Sequence, residues 1–358
     1  MIRLLMPALV FCLLAVTSCK NALTPPELQP KDPNRYTWTI DTLSFQTSPN
    51  GFEQVIMMDI WGLNDTLVYA VGHDANILGT MWKYDGKKWE RVHLMRSEGG
   101  PIDKLIELYG VRGFAANDLY AFGIHSSNYT GHFLPFTVGI HFDGTQWHEI
   151  PMPKGQGIKS VVAVSPSNIY CGGWYDGQIY HYNGSQWSAD TIKARHHPEL
   201  YIDVSLMGIS PNTQDLYFQT EQLQNIAGGF YYTEIIQKGY NQSAMLDSAY
   251  NDVPWGGDSF WQSKEGTMYS CGVGGVFRLV NGKWTTSLSS SRIFSIFGTS
   301  DQHIFAVGTS GIYFYDRISW RIISLYNGTT GSVHVWCSET EVFIVYTDGR
   351  KTYVLHGK

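Results

Sequence analysis

Charge is scarce in this 358-residue chain: Asp, Glu, Lys and Arg make up 16% of it, where an ordinary globular domain carries roughly a quarter. No Lys/Arg run exceeds two adjacent residues and the formal charge is −6, which argues against a nucleic-acid-binding surface. Cysteine is rare too, with five in all and no Cys-x-x-Cys pair, so neither a disulfide framework nor a zinc ribbon is written here. The longest apolar run, Leu4 to Val16, has thirteen residues and is too short to span a bilayer as a stable helix. No segment sustains a 3.6-residue apolar period, so helices are expected to be marginal. What the chain does have is 37 glycines, 14% aromatics and 43% apolar residues. That composition excludes disorder and suits short strands joined by tight turns.

Residues 1–18 read as an address. Arg3 is the sole charge before the apolar run, which ends in Thr17 and Ser18. The join Val16-Thr17-Ser18-Cys19 resembles the bacterial lipobox, which implies cleavage before Cys19 and its acylation. The partner implied is a membrane, held through that N-terminal lipid. Removing the signal takes away one positive charge and leaves −7. Residues 19–34 carry Pro25, Pro26, Pro30 and Pro33 in a polar stretch and read as an extended tether. Lys20 follows the cysteine, with no aspartate there to act as an inner-membrane retention signal of the enterobacterial type. The bacterial outer membrane is therefore the expected location, with the face left open.

Residues 35–358 repeat one short pattern. Ile60-Trp61-Gly62, Val68-Tyr69-Ala70-Val71-Gly72, Tyr84-Asp85-Gly86 and Trp89 make the first copy. Leu108-Tyr109-Gly110, Leu119-Tyr120-Ala121-Phe122-Gly123, Asp143-Gly144 and Trp147 make the second. The third holds Gly172-Gly173, Asn183-Gly184 and Trp187; later copies keep Trp284 and Trp320, and a degenerate one lies near 203–247. Each has four short apolar runs separated by turn residues, hence four strands. Such a unit covers both faces only by radial stacking, so the expected fold is an all-β propeller. The last copy stops one strand short at Lys358, and Arg35 to Ile40 supplies a Trp-bearing strand ahead of the first. Six whole copies and this split one predict a seven-bladed β-propeller closed by its N-terminal strand, with about 46 residues per blade.

The pattern resembles the kelch-like propeller families, and more closely the secreted bacterial propellers with Trp-Gly, Tyr-Ala-Val-Gly, Tyr-Asp-Gly and Trp in each repeat. The single glycines at Gly72, Gly123 and Gly308 depart from the kelch pair. The resemblance implies a scaffold and hardly any function.

Chemistry is sparse. Cys171, Cys271 and Cys337 fall within strands of non-adjacent units and read as buried thiols. His196-His197 lack metal-ligand spacing, and Gly272-Val273-Gly274-Gly275 resembles a phosphate loop only in its glycines, with no helix after it. No metal and no cofactor is implied. Aligning the innermost strands on the residue before the glycine gives Trp61, Tyr109, Ala163, Met207, Trp261, Phe297 and Trp336. Two positions earlier stand Asp59, Glu107, Val161, Ser205, Ser259, Ser295 and His334, a nearly continuous polar ring near the axis. Either these side chains satisfy backbone groups between blades, or Asp59 and Glu107 form an acid/base pair. Longer loops on one face carry a second candidate set, the aromatics Tyr129, Phe133, Phe136, Tyr201, Tyr250 and Trp255, suited to a protein or glycan ligand.

The reading is a lipid-anchored envelope propeller acting as a non-enzymatic recognition or scaffold module for a protein or glycan. The rivals are a glycoside hydrolase or lyase with axial carboxylates, and an assembly factor for envelope complexes. Cys19→Ala is expected to move the protein out of the membrane fraction, because the tether offers no other apolar anchor. Unchanged fractionation on immunoblots would refute lipid attachment.

Overall fold

The computed structural model describes residues 31–44, 46–48, 51–52, 55–74, 79–94, 106–129, 132–193, 201–223, 231–239, 243–251, 253–324, 331–348 and 351–358. Among these, strands account for nearly all regular structure; a 3₁₀ turn at Pro33–Arg35 stands alone and no α-helix occurs. The signal segment, Cys19 and His196-His197 lie outside the described residues.

The chain begins its strands with β1 (Trp38–Leu43) and a small hairpin of β2 (Gln46–Ser48) and β3 (Gly51–Phe52). Four propeller sheets follow in sequence order. They are β4 (Val55–Asn64) to β7 (Trp89–Arg91), with β5 (Leu67–Asp74) and β6 (Gly79–Tyr84); and β8 (Ile106–Ala115) to β11 (Trp147–Glu149), with β9 (Asp118–Tyr129) and β10 (His132–Phe142). Next come β12 (Ile158–Ser165) to β15 (Trp187–Thr191), with β13 (Asn168–Gly173) and β14 (Gln178–Tyr182); and β16 (Tyr201–Ile209) to β19 (Ser243–Tyr250), with β17 (Leu216–Leu223) and β18 (Tyr231–Lys238).

The fifth sheet corrects the expected blade count. It has six strands: β20 (Gly257–Gln262), β21 (Met268–Val280), β22 (Lys283–Ser300), β23 (His303–Gly308), β24 (Gly311–Tyr315) and β25 (Trp320–Ser324). With the closing sheet the propeller has six sheets, five of four strands and one of six, in place of seven separate blades. The cause is β22, which runs 18 residues without a turn. Its first half pairs with β21 and its second half with β23, so two sequence repeats share one hydrogen-bonded sheet.

Ring closure is as expected. β26 (Val333–Cys337), β27 (Val342–Thr347) and β28 (Thr352–Gly357) pair in order, and β1 adds antiparallel to β28 from Trp38↔Gly357 to Leu43↔Thr352. The strand starts three residues later than anticipated because Asp32 caps the 3₁₀ turn through the Asn34 amide. Residues 31–34, read as tether, are already docked: the Lys31 amide donates to Glu339 O and Asp32 pairs with Arg321 at 3.0 Å.

Turn chemistry sets the hairpins. Asp85, Asp143, Asn183 and Asp316 each accept two amides from the following turn through one side-chain oxygen. Gly86, Gly144 and Gly184 supply the positive φ those turns need. The core lies between sheets. Second strands such as β5 and β23 are buried on both faces, whereas the outer strand β15 is mostly exposed. The apolar clusters join neighbouring sheets or, in one case, the two halves of the six-stranded sheet; one runs from Leu43 and Val354 through Phe343 to Met57 and Trp82.

A chain starting at Phe52 would lose all six β1–β28 pairs and the fully buried Leu43. Truncating a buried Leu alone costs ~2–5 kcal/mol, and an open β28 edge invites aggregation. Deleting residues 20–30 is expected to leave the thermal midpoint unchanged, while the Phe52 start lowers it by ten degrees or more, on the order of what that loss implies. Equal midpoints in calorimetry would overturn closure through β1.

Candidate functional site

The strands nearest the axis are β4, β8, β12, β16, β20, the second half of β22, and β26. Six of them are the edges of their sheets, and the second half of β22 pairs with β23 alone, so in each the axis-facing amides lack a ladder partner. The polar ring supplies partners across the seams. Asp59 Oδ2 accepts the Val111 amide at 3.0 Å, and Ser295 Oγ accepts the Val335 amide at 3.1 Å. Ser160 Oγ accepts from the Leu206 amide and donates to Val204 O. Gln262 grips both the amide and the carbonyl of Ile209, each at 2.9 Å. Ser332 Oγ donates to Met57 O, so the 2.8 Å contact with His334 is made by a proton on His334 Nε2. Burial pushes the His334 imidazole below its ordinary pKa.

Strand register corrects the ring's membership. Trp61, Trp261 and Phe297 face Tyr69, Tyr269 and Phe305 on the second strands; the residue facing the matching Tyr120 is Arg112, and the one facing Tyr170 is Val162. The ring position two residues earlier therefore belongs to Gly110 and Ser160, not to Glu107 and Val161. Glu107 sits three residues further along its strand, about 10 Å at strand rise. There it accepts the Tyr109 hydroxyl at 2.8 Å. Asp59 is tied to Arg112 at 2.5 Å, and Gly110 leaves room for Val161 and the Asp59 carboxylate. Asp59 and Glu107 thus serve separate contacts instead of converging as a pair.

The Trp-Gly motif is a seam as well. A Cβ on Gly62 would lie 2.6 Å from the Trp336 ring, on Gly113 2.8 Å from Trp61, and on Gly298 2.9 Å from Trp261. A large ring on one inner strand covers the glycine of the next. Units that keep the ring fill their part of the axis. Where Arg112 and Val162 replace it, and where β16 offers Met207 and Gly208, a cavity of about 830 Å³ opens, against β12, β16 and β20 in particular. Its wall is largely apolar, including Val162, Ala163, Leu206, Met207, Phe260 and Trp261; Ser205 and Ser259 also line it.

At the end where the inner strands begin, the cavity meets a charged rim. Lys159 Nζ lies 3.1 Å from both Asp203 and Glu221. Burial opposes its charge, but Glu221 and Asp203 outweigh that and hold the ammonium above the ordinary lysine range. Asp258 pairs with Arg292 at 2.8 Å, and desolvation still lifts its carboxyl above the usual value. Tyr109 packs edge-on against Trp174 (4.7 Å), which stacks with Tyr175 (5.4 Å); Tyr175 meets Tyr201 at 5.9 Å. Nothing in the repeat pattern pointed to Trp174 and Tyr175. The available signal was the departure Gly173-Trp174-Tyr175-Asp176-Gly177, where Tyr175 takes φ +63.

Of the loop aromatics, Phe136, Tyr201 and Tyr250 are exposed. Tyr129 and Phe133 lie on the β9–β10 hairpin, Tyr129 opposite His132 and Phe133 opposite Asn128. Trp255 is a correction: it is fully buried, and its Nε1 donates to Gln219, which in turn holds Glu221. Cys171, Cys271 and Cys337 are buried free thiols pushed well above the ordinary range by desolvation. No group of three potential metal ligands converges among the described residues. A second groove of about 650 Å³, lined by Tyr120, His141, Met152, Tyr182 and Trp187, lies between the second and third sheets.

No protein-family model matches the chain, and no curated protein does. Among solved structures it is similar to YCF48 bound to a D1 peptide, with 15% identity over 91% of this chain and 97% of that one and a TM-score of 0.55. YCF48 from Cyanidioschyzon merolae matches with 15% identity over 88% of this chain and 98% of that one, TM-score 0.55. An ulvan lyase, described as a new polysaccharide lyase family and bound to a GlcA–Rha3S saccharide, matches at 9% identity over 82% and 90%, TM-score 0.51. At such identities the likeness shows a shared propeller fold and nothing finer.

Asp59→Ala is expected to destabilise by about 3–5 kcal/mol, since it leaves Arg112 partly buried without its anion and the Val111 amide unpaired. Glu107→Ala, which removes one hydroxyl partner, is expected to cost about 1 kcal/mol. Urea unfolding of both variants checks the contrast, and equal losses would contradict the division of roles.

Proposed function

We propose that this chain is a lipid-anchored protein of the bacterial envelope whose propeller binds a protein segment in its axial cavity, without catalysis. One observation carries the reading: the axis is hollow where the repeat gives up its large ring, at Arg112 and Val162, and the space lies within the size range of ligand pockets, about 300–1,000 Å³. A scaffold with no ligand gains nothing from that loss of packing. The carboxylate best placed for axial chemistry, Asp59, is held by Arg112 and the Val111 amide, which favours binding over acid/base work. YCF48, solved with a peptide, supports a protein segment as the ligand class. Under this reading the lipid on Cys19 places the propeller at the outer membrane, where it recognises a segment of a partner, as a scaffold or assembly factor would.

The test uses the full-length protein in detergent. A phage-displayed peptide library is expected to enrich a common sequence on the wild type and to lose it on Val162→Trp, which restores the repeat's ring and fills the cavity. Enrichment that survives the filled cavity, or binding on a glycan array with no peptide enrichment, would overturn the reading.

A further inference from the structure

We propose that the axial cavity selects a segment bearing a lysine or arginine beside an apolar residue, the apolar side chain entering the cavity and the cation resting on its rim. The inference rests on the cavity being the site for a protein segment.

Two observations converge. The deep wall is aliphatic and aromatic, formed by Val162, Ala163, Leu206, Met207 and Phe260, so an apolar side chain that enters is taken out of water. The rim is acidic. Among the described residues Asp203, Glu221 and Asp258 pair with Lys159 and Arg292 while Glu107 pairs with neither, which leaves a surplus of two negative charges. One level deeper Asp59 and Arg112 cancel, and burial disfavours the charged form of His334. Glu107 spends its oxygen on a neutral hydroxyl, and no lysine or arginine pairs with it among the described residues. The other lining cation, Lys264, follows the C-terminal end of β20, at the opposite mouth.

The aromatic run completes the match. Tyr109, Trp174 and Tyr175 are half-buried beside this rim and in mutual contact, and a cation gains from the face of such rings. The same features reject the other ligand classes. An anionic lipid headgroup would meet like charge, and a neutral sugar would leave the surplus charge of the rim without a counterion. The long-range field acts in the same direction, because the chain carries a formal charge of −6 and draws cationic segments toward it.

The probes are three fluorescein-labelled, end-blocked peptides, Gly-Leu-Arg-Leu-Gly and its versions with Gln or Glu in place of Arg. Anisotropy is read against the detergent-solubilised full-length protein. The arginine peptide is expected to bind at least tenfold more tightly than the glutamine peptide, and the glutamate peptide at least tenfold more weakly than glutamine. Raising salt from 50 to 500 mM is expected to erase most of the difference. Glu107→Gln combined with Asp258→Asn should weaken the arginine peptide several-fold more than the glutamine peptide. Val162→Trp, and the milder Ala163→Leu should the first unfold, should abolish binding of all three. If the arginine and glutamate peptides bind alike and both are lost on filling the cavity, the cation preference is overturned and the cavity reading stands. If binding persists in the filled variants, or no peptide binds, the cavity reading itself fails and this inference falls with it.

Discussion

Every sheet of this propeller depends on one recurring contact, the seam between neighbouring inner strands. Where the seam is complete a large ring covers a glycine, as Trp336 covers Gly62, and at most seams a short polar side chain takes up an orphaned amide, as Ser295 takes up that of Val335. The two halves of the seam answer two separate costs. Apolar surface on a narrow strand edge needs cover, and an edge amide turned away from its own ladder needs an acceptor. Glycine is required because the ring lies where a Cβ would stand. The seam therefore couples sheets that share no backbone ladder, and the β1–β28 pairing joins the chain ends into the same circle.

The candidate site is what remains where the seam is incomplete. Four inner strands bring rings to the axis, namely Trp61, Trp261, Phe297 and Trp336, with centroids 6.1 Å apart for Trp261 and Phe297 and 6.5 Å for Phe297 and Trp336. The strands carrying Arg112 and Val162 do not, nor does β16, where Gly208 stands opposite Tyr217 after a bulge at Met207, and their side of the axis is open. Charge follows the same asymmetry. Arg112 stands at a ring position and so requires Asp59; Lys159 stands near the start of an inner strand and draws in Asp203 and Glu221. A rigid ring that is packed on one side and hollow and charged on the other is suited to holding a ligand in a single orientation.

Much of this was readable from residues alone. Period-two patterning with Asp-Gly and Asn-Gly turns identifies strands and hairpins wherever they occur, because those preferences are local. The repeat length and the Trp-bearing strand ahead of the first copy point to the propeller and its closure, because a blade edge needs a ladder partner and β1 supplies it to β28. The polar ring was visible too, and in Asp59, Ser295 and His334 it does what buried polar groups ordinarily do.

Register, sheet count and exposure belonged to the tertiary structure. Which residue of a strand faces the axis depends on bulges and on the partner strand, and a slip of one residue exchanges the faces. That is why Ser160 displaces Val161. Two glycines in one strand, Gly110 and Gly113, gave two possible alignments, and only pairing with Tyr120 chose Arg112 over Tyr109. Whether β22 bends or breaks between two repeats is settled by hydrogen bonds on its two sides, which local propensity does not encode. Trp255 looks like a loop aromatic along the chain, yet it is buried because Gln219, thirty-six residues earlier, lies within reach of its indole nitrogen. The cavity is the clearest case: a void is a property of the side chains around it, and no single residue announces one.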